Sequence, residues 1–264
     1  MDSLLILGDG PLGRAVEAAA RDRYPPGTRE SAIRVIGRPT SGRHDPADLA
    51  DAGSRVARGA SSAAGVSRVI VEASRGEAVA SNLAAALEAG YRHAVIATTG
   101  WTADRPRVEA LLHEYGASAV AASNFSLGVV LFGRLVEAAV ELFGALEAFD
   151  PYLLEWHRRS KRDRPSGTAG DLARRIVAAH PRLASPDDLE VVSIRAGASP
   201  GMHLVGFDAV GETIELRLTA RDRSPYAAGI LAAADWLERA PRAPGIHSFD
   251  PIVDELIARD RIAA

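Results

Sequence analysis

"SLLILGDGPLGRAVEAAARDR", residues 3–23, decides the fold. An apolar run, Leu4 to Leu7, ends in Gly8-Asp9-Gly10-Pro11-Leu12-Gly13, and a stretch with helical spacing follows. A short apolar run stopped by glycine reads as a buried strand. The glycine spacing fits G-x-G-x-x-G at a strand-to-helix turn. Glycines there allow a tight turn and close backbone approach to a pyrophosphate, while the helix start offers free N–H groups and partial positive charge. Gly8, Asp9, Gly10, Pro11, Leu12 and Gly13 are therefore expected to cradle a dinucleotide.

Working outward, strands are expected at 32–37, 67–74, 93–100 and 118–126, with helices at 76–90 and 105–116. Residues 38–66 read as loop with one short helix. Strands alternating with helices of this length imply α/β architecture, a Rossmann-type doubly wound parallel sheet. The pattern changes at 127. A long amphipathic helix (127–144), a strand (149–157) and a helix (167–180) precede three strand-like runs, 189–197, 201–209 and 212–221, which read as an antiparallel meander. A helix at 226–240 follows. The expected division is a dinucleotide-binding domain at 1–126, an α+β domain at 127–235, and a tail from about 236 to 264 that packs back on the first.

The 264 residues carry a net charge of −3 and no long basic tract, which argues against a nucleic-acid partner. No cysteine is present, so thiol nucleophiles, disulfides and zinc–thiolate sites are excluded. The apolar run at the N-terminus is too short for a signal peptide or membrane span, and a cytoplasmic location without membrane association is expected.

Where the second strand ends, an NAD site usually carries an acid for the ribose hydroxyls. Here Gly37 is followed by Arg38, Thr40, Ser41 and Arg43, which suit a 2′-phosphate, so NADPH is expected over NADH. Ala97-Thr98-Thr99 and Ala122-Ser123-Asn124-Phe125 end parallel strands, where such a sheet delivers residues to its cofactor crevice.

"EWHRRSKRDRPSGTAG", residues 155–170, holds the only lysine of the chain; every other one of the 31 Lys and Arg residues is arginine. A lysine can surrender its proton where burial or neighbouring cations favour that, and an arginine cannot. Lys161 thus reads as a general acid, with His157 sharing the proton handling. Ser166 can cap the helix that follows, and Gly167 and Thr168 can present N–H groups to a substrate carboxylate. The other histidines (His44, His93, His113, His180, His203, His247) show no clustered partners in the sequence, so no metal site is expected.

Glu155-x-His157-x-x-x-Lys161-x-Asp163-x-Pro165-Ser166-Gly167-Thr168-Ala169 resembles the signature of the bacterial dihydrodipicolinate reductase (4-hydroxy-tetrahydrodipicolinate reductase) family. "ATTGW", "ASNFSLGV", "SIRAG", "GMHLVGFDAVGE" and "ARDRSPYAAG" fall in that family's order. The resemblance implies a substrate-binding and tetramerisation domain with an open mixed β-sheet. It implies NAD(P)H-dependent reduction of a cyclic, imine-derived dicarboxylate in diaminopimelate and lysine biosynthesis. His157 and Lys161 match the family's proton-transfer pair, Gly167 and Thr168 its substrate-carboxylate contacts. Thr99 falls where substrate and nicotinamide come together.

The chain departs from the family's pattern at Arg158, where a second histidine is usual. It departs also at Glu72-Ala73-Ser74, at Ala97, and in the Pro-Leu-Gly of the glycine loop. Arg158 keeps a cation for the substrate. A paralogous imine or ene reductase acting on another carboxylate, and a non-catalytic scaffold, remain the alternatives.

Overall fold

The computed structural model describes residues 3–24, 32–37, 44–45, 47–49 and 68–263. In chain order the elements are β1 (Ser3–Leu7), α1 (Pro11–Arg23), β2 (Ala32–Ile36), β3 (Arg68–Glu72), α2 (Val79–Glu88), β4 (His93–Ile96), α3 (Arg105–Glu114) and β5 (Ser118–Ala121). Then come α4 (Leu127–Phe143), β6 (Asp150–His157), α5 (Gly167–Ala179), β7 (Glu190–Arg195), β8 (Met202–Ala209), β9 (Glu212–Thr219), α6 (Ser224–Arg239), β10 (Gly245–His247) and α7 (Asp250–Ala263). They divide into two compact units, Met1–Ser126 with Arg223–Ala264, and Leu127–Asp222.

The first unit is built on a wholly parallel six-stranded sheet in the order β2-β1-β3-β4-β5-β10. Leu5, Leu7, Ile70, Ala94, Ile96 and Ala119 face α2 and α3 through Val79, Leu83, Leu87, Val108 and Leu112. Alternate residues point to the opposite face, where α6 packs on β3, β4 and β5 and beside α1. Burial on both faces explains why β1 is apolar at Leu4, Leu5, Ile6 and Leu7 without alternation.

Strand β1 has β2 on one side and β3 on the other, so the winding reverses there and a crevice opens at their carboxyl ends. Helix α1 starts in that crevice with Gly10 as its cap and Pro11 in its first turn. A Cβ on Gly13 would lie 1.9 Å from the Gly8 carbonyl oxygen, so only glycine lets the helix start press this closely on the strand end.

The boundary expected at 235 falls instead at 223. Helix α6 buries Ala227, Gly229, Ile230, Leu231, Ala233, Ala234 and Leu237, and a Cβ on Gly229 would lie 1.7 Å from the Phe125 carbonyl oxygen. The helix pattern shows that a face is apolar, but not which sheet that face will cover.

The second unit holds a four-stranded mixed sheet in the order β7-β6-β8-β9. The expected meander is half right. Strands β8 and β9 form an antiparallel pair, but β7 pairs in parallel with β6 and does not touch β8. Helix α5 lies between β6 and β7 in the chain and supplies the long return that a parallel pairing requires. Helices α4 and α5 cover one face through Phe132, Val136, Val140, Leu172 and Ile176, packed on Leu153, Val205 and Phe207. The other face is open, with Trp156, Val192 and Ile194 about two-fifths exposed. Among the described residues no helix is long and apolar enough to cross a membrane.

Candidate active site

In the first unit two cavities, of about 330 and 280 Å³, open at the ends of β1 and β3. Both are lined by Gly10, Ala73, Ser74 and Arg75. The larger also takes Gly8, Asp9, Gly37 and His44, and the smaller Pro11, Leu12, Ala97, Thr98 and Thr99. A Cβ on Gly10 would meet nothing within 4 Å, because it would stand in open space. The glycine thus leaves a cradle for a group approaching the backbone, which fits a dinucleotide pyrophosphate. Gly13 stands behind the cradle as a packing residue.

Other expected cofactor contacts do not gather there. Ala122, Ser123, Asn124 and Phe125 line neither cavity. Phe125 is buried, its ring 5.0 Å from that of Phe249, so its side chain belongs to the core. Asn124 accepts from the Ser126 N–H at 2.8 Å and shapes the turn after β5. Arg38, Thr40, Ser41 and Arg43 lie outside the described residues.

Sequence reasoning passed over what holds the cradle walls together. The buried Glu72 carboxylate accepts from the Ser74 N–H at 2.9 Å, the Ser74 hydroxyl, the Asn82 amide at 2.9 Å and the Thr98 hydroxyl at 3.3 Å. Burial pushes its pKa up, and these hydrogen bonds oppose the rise. One side chain thereby ties the loop after β3 to the loop after β4. Gly76 completes the junction, since a Cβ there would lie 2.4 Å from the Gly100 carbonyl oxygen.

In the second unit the sheet register does the assembling. Glu155 on β6 pairs with Ser193 on β7 and His203 on β8, and His157 pairs with Arg195. Alternation turns all five side chains toward the helix-covered face. Glu155 is fully buried. Its Oε1 accepts from the Ser166 N–H at 2.9 Å, the Ser193 hydroxyl at 2.6 Å and the Arg195 guanidinium at 2.7 Å. Its Oε2 lies 3.1 Å from Nε2 of His157 and 3.8 Å from Nε2 of His203. Burial would raise the carboxyl pKa, but the contacts from His157, Ser166, Ser193 and Arg195 outweigh it and hold the group far below the usual range. Glu155 is thus held as an anion well into the acid range.

This anion fixes the neighbouring groups. Ser166 donates its N–H to Glu155, while its hydroxyl accepts from the Ala169 N–H at 3.2 Å and meets His203 Nε2 at 3.3 Å. The expected cap of α5 is therefore present, leaving exposed Gly167 and partly exposed Thr168 at the helix start. Gly201 packs on the His157 ring; a Cβ there would lie 2.9 Å from its Cε1. Lys161 is partly exposed and donates to Asp163 at 2.8 Å. Its observed partner is thus a carboxylate two residues on, where the sequence reading looked to cations. Arg158 is exposed and donates to Ser160 at 3.1 Å.

His203 does cluster, contrary to expectation: its ring lies 5.2 Å from that of His157. Ligand atoms of Glu155, His157 and His203 lie within 4.8 Å of one another, the described group with metal-ligand spacing. The Arg195 guanidinium on the same carboxylate already supplies the positive charge that a cation would bring. Burial, then the His157 charge, pulls the His203 pKa down to about 4, against the attraction of Glu155. A histidine depressed in the fold stabilises fully above its unfolded pKa near 6.5, and loses that contribution as pH falls toward 4. The shift corresponds to about 3 kcal/mol. We expect His203→Gln to flatten the fall in urea-unfolding free energy between pH 6.5 and 4. A slope equal to the native protein's would refute the assignment.

Residues 128–252 match the model for "Dihydrodipicolinate reductase, C-terminus". The 4-hydroxy-tetrahydrodipicolinate reductase of Archaeoglobus fulgidus is 34% identical over 201 residues, covering 70% of this chain and 76% of the relative. The chain belongs to the dihydrodipicolinate reductase family. The reductases of Methanoregula boonei (34% identity, 60% of this chain and 64% of the relative) and Wolinella succinogenes (33%, 65% and 71%) are similar. Among solved structures, the dipicolinate-bound dihydrodipicolinate reductase from Paenisporosarcina sp. TG-14 shares the fold at a TM-score of 0.62. It is 18% identical and covers 94% of this chain and 97% of its own. An engineered D-amino acid dehydrogenase bound to NADP+ shares the fold at 0.51 and 17% identity, covering 98% and 99%. The dihydrodipicolinate reductase segment thus contains both Glu155 and the partners that its register gathers, Ser193, Arg195 and His203.

Proposed function

We infer that the protein is an oxidoreductase that uses a nicotinamide cofactor to reduce 4-hydroxy-tetrahydrodipicolinate to tetrahydrodipicolinate, a step of diaminopimelate and lysine biosynthesis. The observation that carries this reading is the buried Glu155 anion, which fixes His157 and the capped start of α5 within the segment that matches the family. The glycine cradle, with Ala97, Thr98 and Thr99 on its second cavity, supports the cofactor. When bound, that cofactor supplies the hydride.

The chain's own residues handle charge and protons. The N–H groups of Gly167 and Thr168, at the positive end of α5, receive a substrate carboxylate. Arg158 adds a cation for the substrate. The substrate's 4-hydroxyl leaves as water, giving the unsaturated ring that takes the hydride; Asp163 holds the Lys161 ammonium in place, and Lys161 delivers the proton that accompanies hydride addition to that ring. His157, held between Glu155 and Gly201, shares in the transfer. NADPH is the expected donor, on the strength of Arg38, Thr40, Ser41 and Arg43.

The test couples the purified protein to dihydrodipicolinate synthase and follows NADPH oxidation. Substrate-dependent oxidation supports the reading. Cofactor binding without oxidation would favour a paralogous imine or ene reductase, the reading that exposed Arg158 favours. The open sheet face bearing Leu154, Trp156, Val192 and Ile194 supports a homotetramer assembled through it. Light scattering is expected to give four times the 27.8 kDa chain mass. Trp156→Glu is expected to lower that mass, and a monomeric native protein would refute the assembly.

A further inference from the structure

Strand β7 alternates, with Glu190, Val192 and Ile194 outward and Val191, Ser193 and Arg195 inward. An inward arginine needs a reason, because a guanidinium leaves water at a cost unless its charge and its donors are met. Glu155 meets the charge of Arg195, but the donors are met unevenly. Nη1 donates to the Ile194 carbonyl at 2.9 Å. Nη2 donates twice, to Glu155 Oε1 at 2.7 Å and to the Asp163 carbonyl. Nε is buried and finds no hydrogen-bond partner among the described residues. A side chain selected for stability alone would satisfy that donor too. This one is aimed instead at two acceptors from different parts of the chain.

Those acceptors lead to the two proton-handling residues. The other oxygen of Glu155 lies 3.1 Å from Nε2 of His157. The side-chain carboxylate of Asp163, whose backbone carbonyl Arg195 grips, accepts from Lys161 Nζ at 2.8 Å. One guanidinium thus joins the buried anion behind His157 to the carboxylate that holds Lys161. The Lys161–Asp163 pair is itself partly exposed, and such a pair orders two side chains only weakly on its own. A lysine stem also loses much rotamer freedom when it is held. The ammonium therefore keeps a fixed place only if Asp163 has one, and Arg195 supplies it from the core.

We propose that Arg195 is a positioning residue for Lys161: held on the Glu155 carboxylate, its guanidinium anchors the Asp163 carbonyl and so sets the carboxylate that holds the ammonium. The proposal rests on the reading of Lys161 as the proton donor. It makes Glu155 the common reference for both His157 and Lys161, one reached directly and the other through Arg195 and Asp163.

Lysine labelled with 13C at its ε-carbon gives one side-chain signal in this protein, because Lys161 is its only lysine. Relaxation of that signal reads how firmly the ammonium end is held, with no substrate present. Arg195→Gln is expected to loosen it toward a free side chain and to lower kcat by about tenfold to a hundredfold, the scale of a misplaced catalytic group. In a Lys161→Ala background the same substitution should lower kcat little further, since Arg195 acts through Lys161. Asp163→Ala cuts the same path at an exposed side chain, so it should fold even if Arg195→Gln does not, and it should loosen Lys161 equally. A Lys161 signal as ordered as the native one in either variant would overturn the role of Arg195 and leave the proton-donor reading standing. So would an equal fall in kcat with and without Lys161, the mark of a merely structural residue. A loosened Lys161 with native turnover would support the positioning and remove the proton-donor reading.

Discussion

Lys161→Ala is expected to lower kcat by two to four orders of magnitude, and Lys161→Arg to restore little of it. General acid catalysis contributes on that scale, about 3 to 5 kcal/mol of barrier. The two variants separate charge from proton transfer. A guanidinium at 161 keeps the positive charge and can pair with Asp163 as the ammonium does. It does not release a proton near neutral pH. KM should therefore change less for Lys161→Arg than for Lys161→Ala, while kcat falls for both. Steady-state kinetics over a range of pH reads the difference. Near-native turnover in Lys161→Arg would show that the position needs only a cation.

Glu155→Gln should destabilise the protein by about 3–5 kcal/mol, the usual cost of breaking a buried ion pair from one side. The Arg195 guanidinium is 1% exposed and takes its charge compensation from Glu155. The Ser166 N–H and the Ser193 hydroxyl reach the same oxygen. An amide fills the same volume, yet it cannot neutralise Arg195, and its NH2 would stand against one of these donors. The pH dependence carries its own signature. A carboxyl depressed in the fold stabilises fully above its unfolded pKa near 4.5, and the contribution drains as pH falls below that value. The native protein should thus soften on acidification in two stages, first through His203 and then through Glu155. Urea titrations should show the second stage missing in Glu155→Gln. An unchanged midpoint at pH 7 would mean that the buried charge is not holding the site.

The fold was legible wherever burial is two-sided and local. Strand β1, the glycine turn and α1 follow from one unbroken stretch. The sites were legible only where they are written consecutively, as in the loop from His157 to Thr168. The partners of Glu155 lie on other strands, in stretches that read simply as sheet, and only the register places Ser193, Arg195 and His203 around it. That register depends on β7 running parallel to β6, the pairing the linear pattern misread. Phe125 shows another limit: a strand-end position suggested a cofactor contact, and nothing in the sequence showed that the side chain would pack on Phe249. Glu72 was noticed only as a departure from a familiar motif, because its three partners are scattered over the loops after β3 and β4 and helix α2.

The first unit is built from two separate stretches of the chain, on either side of the second. Strand β10 extends the sheet beside β5, and α6 roofs β3, β4 and β5. All of that covering material lies after residue 223. During synthesis, five strands are therefore made long before the helix that shields one side of them, while the second unit is already complete in the emerging chain. A ribosome stalled before Arg223 would carry a finished second unit and a half-roofed sheet. The sheet that carries the glycine cradle would gain its sixth strand and that roof only once the residues after 223 are made.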